Sequence, residues 1–167
     1  MGNINTCTTG SLPNGFNGTA VVNVTSGSNG ILGIFNFDSG IGQAEAANMI
    51  RDEDASSTLY FPQIVRNAFG GFQSGWQVVN TTGSNLNLTI TYTRDNGATA
   101  TDHKTINANS ALTVYVGAAE YQTLLGDNWN GGAVVSVDGA AGTIAGQGNI
   151  TAPYSGDGLL VYNAFTP

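Results

Sequence analysis

The chain has 167 residues, 4 of them basic and 11 acidic, so only 9% are charged, where a soluble domain carries about 25%. That length is one domain or two small ones and suffices to bury a core. Four cations at a net charge of -7 exclude the run of phosphate contacts that nucleic acid requires, and attraction to an anionic membrane as well.

In chain order, Met1 to Cys7 lack the basic region and apolar run of a signal peptide, which leaves either a retained chain or a mature or partial product. Cys7 is the single cysteine, so a free thiol is expected and not a disulfide framework. Val, Ile, Thr, Tyr, Phe and Trp recur at every second residue, which is the period of strands. Strands are expected at Ala20 to Thr25 and Ile31 to Phe37. Arg51-Asp52-Glu53-Asp54-Ala55-Ser56-Ser57 is the most charged stretch and reads as a solvated linker; its carboxylates lack the D-x-D-x-D-G spacing of a Ca²⁺ loop. Further strands are expected at Leu59 to Val65, Gly75 to Thr81 and Leu86 to Arg94. In the last of these, Leu86, Leu88, Ile90 and Tyr92 alternate with polar residues. Asp95-Asn96-Gly97 then predicts a type I′ hairpin turn returning through Ala98 to Ile106. Leu112 to Val116, Ala133 to Val137, Thr143 to Ile150 and Leu159 to Tyr162 complete the strands, and only Ala118 to Leu125 suits a short helix. No apolar run approaches the roughly 20 residues of a spanning helix, so no membrane insertion is expected.

An internal repeat organises these elements. Residues 12 to 37 align without a gap on residues 125 to 150 at a constant offset of 113, with 10 of 26 pairs identical. The identities include Gly18/Gly131, Ala20/Ala133, Val21/Val134, Val22/Val135, Val24/Val137, Ile31/Ile144, Gly33/Gly146 and Asn36/Asn149, and Phe16 lies over Trp129. Three blocks follow: a half-repeat A′ from 12 to about 50, a middle block B from about 58 to 124, and a second copy A from 125 to about 165. The expected domains are 1–57, the half-repeat with its acidic linker, and 58–167, a complete repeat. The expected fold is all-β, an antiparallel β-sandwich of Ig-like or jelly-roll-like type with an additional homologous half-repeat at the N-terminus. If one B and one A make a sandwich, one A element is left over, with adhesive edges and an apolar face.

Leu59-Tyr60-Phe61-Pro62-Gln63-Ile64-Val65-Arg66-Asn67, Ser74-Gly75, Asn80, the Tyr92 to Gly97 hairpin, Asn130-Gly131-Gly132-Ala133-Val134-Val135, Ile144 to Asn149 and Tyr162-Asn163 together resemble the tandem β-sandwich repeats of secreted and surface proteins in filamentous bacteria such as Chloroflexus relatives. The resemblance covers nearly the whole chain past residue 11, with A′ matching the tail of a preceding repeat. It implies an extracellular or cell-surface structural or adhesive module, such as a fibril subunit, with no catalytic residues to carry over. Phe72 stands where those repeats commonly show Trp.

His103 is the only histidine, and no G-x-S-x-G elbow accompanies it, so no enzyme and no cofactor are expected. Trp129, in Asp127-Asn128-Trp129-Asn130-Gly131, reads as a turn residue and is the candidate for stacking on a glycan, whereas Trp76 alternates in phase with Val78 and reads as core. Sequons place glycosylation candidates at Asn17, Asn23, Asn80, Asn87 and Asn149. The expected function is a structural subunit that polymerises with identical or homologous copies by head-to-tail β-strand complementation. Gly2 to Thr9 or the more apolar Leu159 to Phe165, with Leu159, Val161 and Phe165, is the expected donated strand. The alternative is a monomeric carbohydrate-binding adhesin module.

Overall fold

The computed structural model describes residues 18–27, 30–38, 42–139, 142–154 and 156–167. The alternation along Leu86–Arg94 sets the architecture: Leu86, Leu88, Ile90 and Tyr92 are all buried, while Asn87 and Thr93 face solvent. Eight strands share this inward face. They are β3 (Thr58–Ala68), β4 (Phe72–Asn80), β5 (Leu86–Arg94), β6 (Thr99–Ile106), β7 (Ala111–Tyr115), β8 (Trp129–Val137), β9 (Ile144–Thr151) and β10 (Leu159–Asn163), with one helix, α1 (Ala119–Leu125). Two further strands, β1 (Ile34–Asp38) and β2 (Ala44–Asn48), form a separate antiparallel hairpin.

Pairing divides the eight strands into two antiparallel layers, β10-β9-β4-β7 and β3-β8-β5-β6. The layers join at the tip of the β3–β4 hairpin, where Arg66 faces Gln73 and Ala68 faces Phe72. Two isolated bridges, Ser56 to Ile144 and Tyr60 to Phe165, clip them elsewhere. The fold is an all-β sandwich. Its main core cluster is drawn from both layers and from α1, including Leu59, Phe61, Trp76, Leu88, Ile90, Tyr92, Tyr121, Val135 and Ile144, and Val65, Ala68 and Ile150 form a second, smaller one. The Phe61 and Trp76 rings meet at 5.4 Å and the Tyr92 and Tyr121 rings at 6.2 Å, within the range of favourable aromatic pairs.

One local expectation is corrected. The Asp95-Asn96-Gly97 turn is not type I′: among these residues only Gly97 has positive φ, at 86°. The Gly97 N–H bonds the Arg94 carbonyl at 2.9 Å and the Arg94 N–H bonds the Ala98 carbonyl at 2.8 Å, which is a type I turn followed by a glycine bulge. The Asn96 side chain fixes it by accepting from the Ala98 N–H at 3.0 Å. Strand β2 carries no strand signal of its own, since Ala44-Glu45-Ala46-Ala47-Asn48 contains no β-branched or aromatic residue; its pairing with β1 makes it a strand.

Ile144 is fully buried, whereas Ile31, its equivalent in the first repeat copy, is 55% exposed. Denaturant unfolding of Ile144→Ala is therefore expected to show a loss of about 2 to 5 kcal/mol. Ile31→Ala in the same chain is expected to stay within about 0.5 kcal/mol of the parent.

Candidate functional site

The two copies of the repeat fold alike in one part and differ in another. In the second copy, Ala133, Val135 and Val137 point into the core from β8. Strand β8 pairs on one side with β3, Val135 opposite Leu59, and on the other with β5, Val135 opposite Ile90. Its backbone is thus satisfied along both edges. The equivalent stretch of the first copy, Ala20 to Val24, was expected to be a strand but has no regular structure and lies exposed. Val22 is 45% exposed where Val135 is 0%. The sequence carries the strand signal, but the flanking strands that would fix it, β3 and β5, are already filled by β8.

The hairpins, in contrast, match residue for residue. In the first copy Ile34 pairs with Asn48 and Asp38 with Ala44; in the second Gln147 pairs with Asn163 and Thr151 with Leu159. The offset is 113 along β1 and β9 and 115 along β2 and β10, so the connecting loop is two residues shorter in the first copy. The hydrogen bond that follows is also repeated: Met49 N–H to Gly33 O at 2.9 Å, and Ala164 N–H to Gly146 O at 2.9 Å. Even the packing across the pair is conserved with its partners exchanged. Gly148 faces Tyr162 in one hairpin, and Phe35 faces Ala47 in the other. A Cβ on Gly148 would lie 2.5 Å from the Tyr162 ring, so one large and one small residue occupy each pair.

The first copy is anchored beside β10 rather than on block B. The buried Gln43 side chain donates to the Tyr154 carbonyl at 2.7 Å and the Ala152 carbonyl at 3.3 Å. Asn163 Nδ2 donates to the Asn48 carbonyl at 3.1 Å. Val21, Val22, Val24, Ile31, Leu32 and Ile34 are left exposed together. No residue from 1 to 37 is charged, so this apolar segment lacks the charges that guard unpaired strands. The free edge of β6 is guarded: it carries Asp102, His103 and Lys104, the chain's one lysine.

The donated strand expected at the C-terminus is corrected. Leu159 and Val161 lie in β10 within this chain's own sandwich, Leu159 is buried, and Phe165 exchanges hydrogen bonds of 2.8 and 2.9 Å with Tyr60. The expectation of Trp129 as a glycan platform is corrected as well. It opens β8, is 3% exposed and joins the core, with the Arg94 guanidinium 5.7 Å from its ring centre. Trp76 is core, as its phase indicates.

The sequon asparagines separate by environment. Asn80 is fully buried: Nδ2 donates to the Ser84 and Asn107 carbonyls at 2.7 and 3.0 Å, and Oδ1 accepts from the Thr82 N–H and hydroxyl at 2.9 and 2.7 Å. A glycan on Nδ2 would break that set, so Asn80 is a structural residue. Asn149 accepts from the Gly75 N–H at 2.9 Å and is half-buried. Asn87 is exposed on the outer face of β5, and Asn23 is exposed in the unpaired segment. Asn17, Cys7 and Gly2 to Thr9 lie outside the described residues.

The remaining polar groups hold local structure. Arg51 pairs with Glu53 and, at 2.9 Å, with Asp54, so the acidic linker is partly neutralised from within. Arg66, 5% exposed, binds Asp127 at 2.6 Å and the Gly126 carbonyl at 3.1 Å. His103 and Asp102 point to opposite faces of β6: His103 Nδ1 contacts the Thr89 hydroxyl at 3.2 Å, while Asp102 accepts from the Tyr121 hydroxyl at 3.1 Å. These two side chains do not form a nucleophile relay. Burial holds the Tyr92, Tyr121 and Tyr162 phenols well above the ordinary tyrosine range, and at Tyr121 the nearby Asp102 and Glu120 add to it.

No protein-family model matches the chain, and no curated protein matches it. Among solved structures the chain is similar to the crystal structure of Thermotoga maritima 1070, with a TM-score of 0.55 at 9% identity over 68% of this chain and 97% of that one. At that identity the likeness is one of fold.

Two outcomes follow from these environments. Asn80→Ala leaves buried partners unsatisfied and is expected to lower stability by about 1 to 3 kcal/mol, while Asn87→Ala is expected to leave the unfolding midpoint unchanged. For the tyrosines, the neutral form is favoured in the folded state, so their contribution is complete below about pH 10 and falls as pH rises above it, by up to ~1.4 kcal/mol per unit for each phenol. Alkaline titration is expected to release the phenolate absorbance of Tyr92, Tyr121 and Tyr162 together with loss of fold.

Proposed function

We propose that the protein is a structural subunit of an extracellular fibre or surface layer, assembling head-to-tail by β-strand complementation between copies. One observation carries this reading: the same strand sequence, Ala-Val-Val-x-Val, is buried between β3 and β5 in its second copy and exposed in its first, with no strand partner among the described residues. An apolar segment of this kind is adhesive in water, and its homologous copy specifies what geometry satisfies it. A contact that joins one end of a subunit to a different face of the next does not close on itself, so it propagates. Scarcity of charge on the surface leaves little repulsion to oppose association. The extracellular setting is supported by the resemblance to surface-protein repeats carried by Leu59 to Asn67 and Asn130 to Val135.

The carbohydrate-binding reading loses its platform with the burial of Trp129. Negative-stain microscopy and size-exclusion chromatography of the native material are expected to show filaments or heterogeneous polymers. A homogeneous 17.1 kDa species with cooperative unfolding at all concentrations would overturn the fibre reading.

A further inference from the structure

We propose that residues 18–50 are a completing half for a second half-sandwich of the 58–124 type, one whose own β8–β10 half is absent or withdrawn. This rests on the strand-complementation reading and names its donor, its acceptor and their register. The acceptor is the slot that β8, β9 and β10 fill in this chain, between strands equivalent to β3 and β5 and alongside one equivalent to β4.

The register follows from the constant offset. Val22 takes the place of Val135, opposite Leu59 on one side and Ile90 on the other; Ala20 takes that of Ala133, opposite Phe61 and Tyr92; Ile31 takes that of Ile144, opposite Asn80. The core-facing set Ala133, Val135, Val137 is matched by Ala20, Val22, Val24 without substitution, so no volume is gained or lost at these three positions of β8. Close contacts test the fit more severely. A Cβ at Gly131 would lie 2.1 Å from the Thr93 carbonyl oxygen, and one at Gly146 would meet Leu59, Phe61 and Val78 at 2.9 to 3.1 Å. The donor has Gly18 and Gly33 at these two positions. Asn36 replaces Asn149, whose side chain caps the Gly75 N–H. Phe35 replaces Gly148 and brings its ring to the slot that Tyr162 fills, because Ala47 has vacated the opposite side. Two positions are tight: Thr19 replaces Gly132, where a Cβ would stand 3.0 Å from the Phe61 carbonyl, and Asn29 replaces Gly142, where a Cβ would stand 2.5 Å from the end of the Leu86 side chain; a shift of a few tenths of an ångström relieves the first and a different Leu86 rotamer the second.

The stoichiometry follows from the same geometry. The intact chain fills its own acceptor slot with β8, β9 and β10, so a copy of this chain accepts a donor only once that half is withdrawn from the slot. Because the β1–β2 hairpin is tied beside β10 through Gln43 and Asn163, a half-sandwich that takes it up comes to lie next to the β10-β9-β4-β7 layer.

The test adds a second copy of residues 58–124 directly ahead of Leu12 in the chain, the junction equivalent to the one between Leu124 and Leu125. Hydrogen exchange at Leu88 to Tyr92 of the added copy is expected to slow by at least ~tenfold relative to the same chain carrying Val22→Asp or Gly18→Val, with the melting of the resident sandwich unchanged by either substitution. An added copy that exchanges rapidly beside an unsubstituted donor, or that stays protected in both substituted chains, overturns the proposal. Protection of the added copy alongside monomeric native material would reject the fibre and leave the donor assignment standing.

Discussion

Everything in this molecule depends on one strand being gripped along both edges. Strand β8 enters between β3 and β5, and through it the Ala133, Val135 and Val137 side chains reach a core shared with the opposite layer. A strand in that position satisfies its backbone donors and acceptors on two sides and removes its apolar face from water. Without it, β3 and β5 have no common neighbour, and the β3-β8-β5-β6 layer does not exist. The chain carries a second segment of nearly the same sequence, and the described residues form only one such grip.

The asymmetry between the two copies separates local from non-local causes of structure. A hairpin is built from contacts between neighbours in sequence, and both copies make it with the same register and the same closing hydrogen bond. The preceding strand needs partners supplied from far along the chain, and only the copy that reaches them is ordered as a strand. Charge placement agrees with this division: β6 carries its lysine, aspartate and histidine on a free edge, whereas residues 1 to 37 carry no charge at all. One edge is protected from pairing and the other segment is left open to it.

The legibility of the sequence followed the same line. Strand β5 was readable to the residue because alternation along Leu86 to Tyr92 directly reports burial on one face. The helix at Ala119–Leu125 was readable because that stretch alone breaks the period of two. Strand β2 was not, since Ala44 to Asn48 earn their conformation from β1 and from no propensity of their own. Trp129 was misplaced because its Asn- and Gly-rich surroundings read as a turn, although Gly131 and Gly132 are there to let neighbouring backbones approach. Asn80 carried a sequon whose meaning was cancelled by burial, and burial is not visible in three consecutive residues.

By itself the sequence determined the all-β class, the duplication and the surplus of one half-repeat, because periodicity and self-similarity are properties of the chain alone. Which of the two copies would be the surplus one was decided only by the tertiary structure. The two halves present the same Ala-Val-Val strand, and their intrinsic preferences are alike. The difference lies in how each half meets the single slot of block B: the C-terminal copy, with glycines at 131, 132, 146 and 148, occupies it, and the N-terminal copy is left with its apolar face in water.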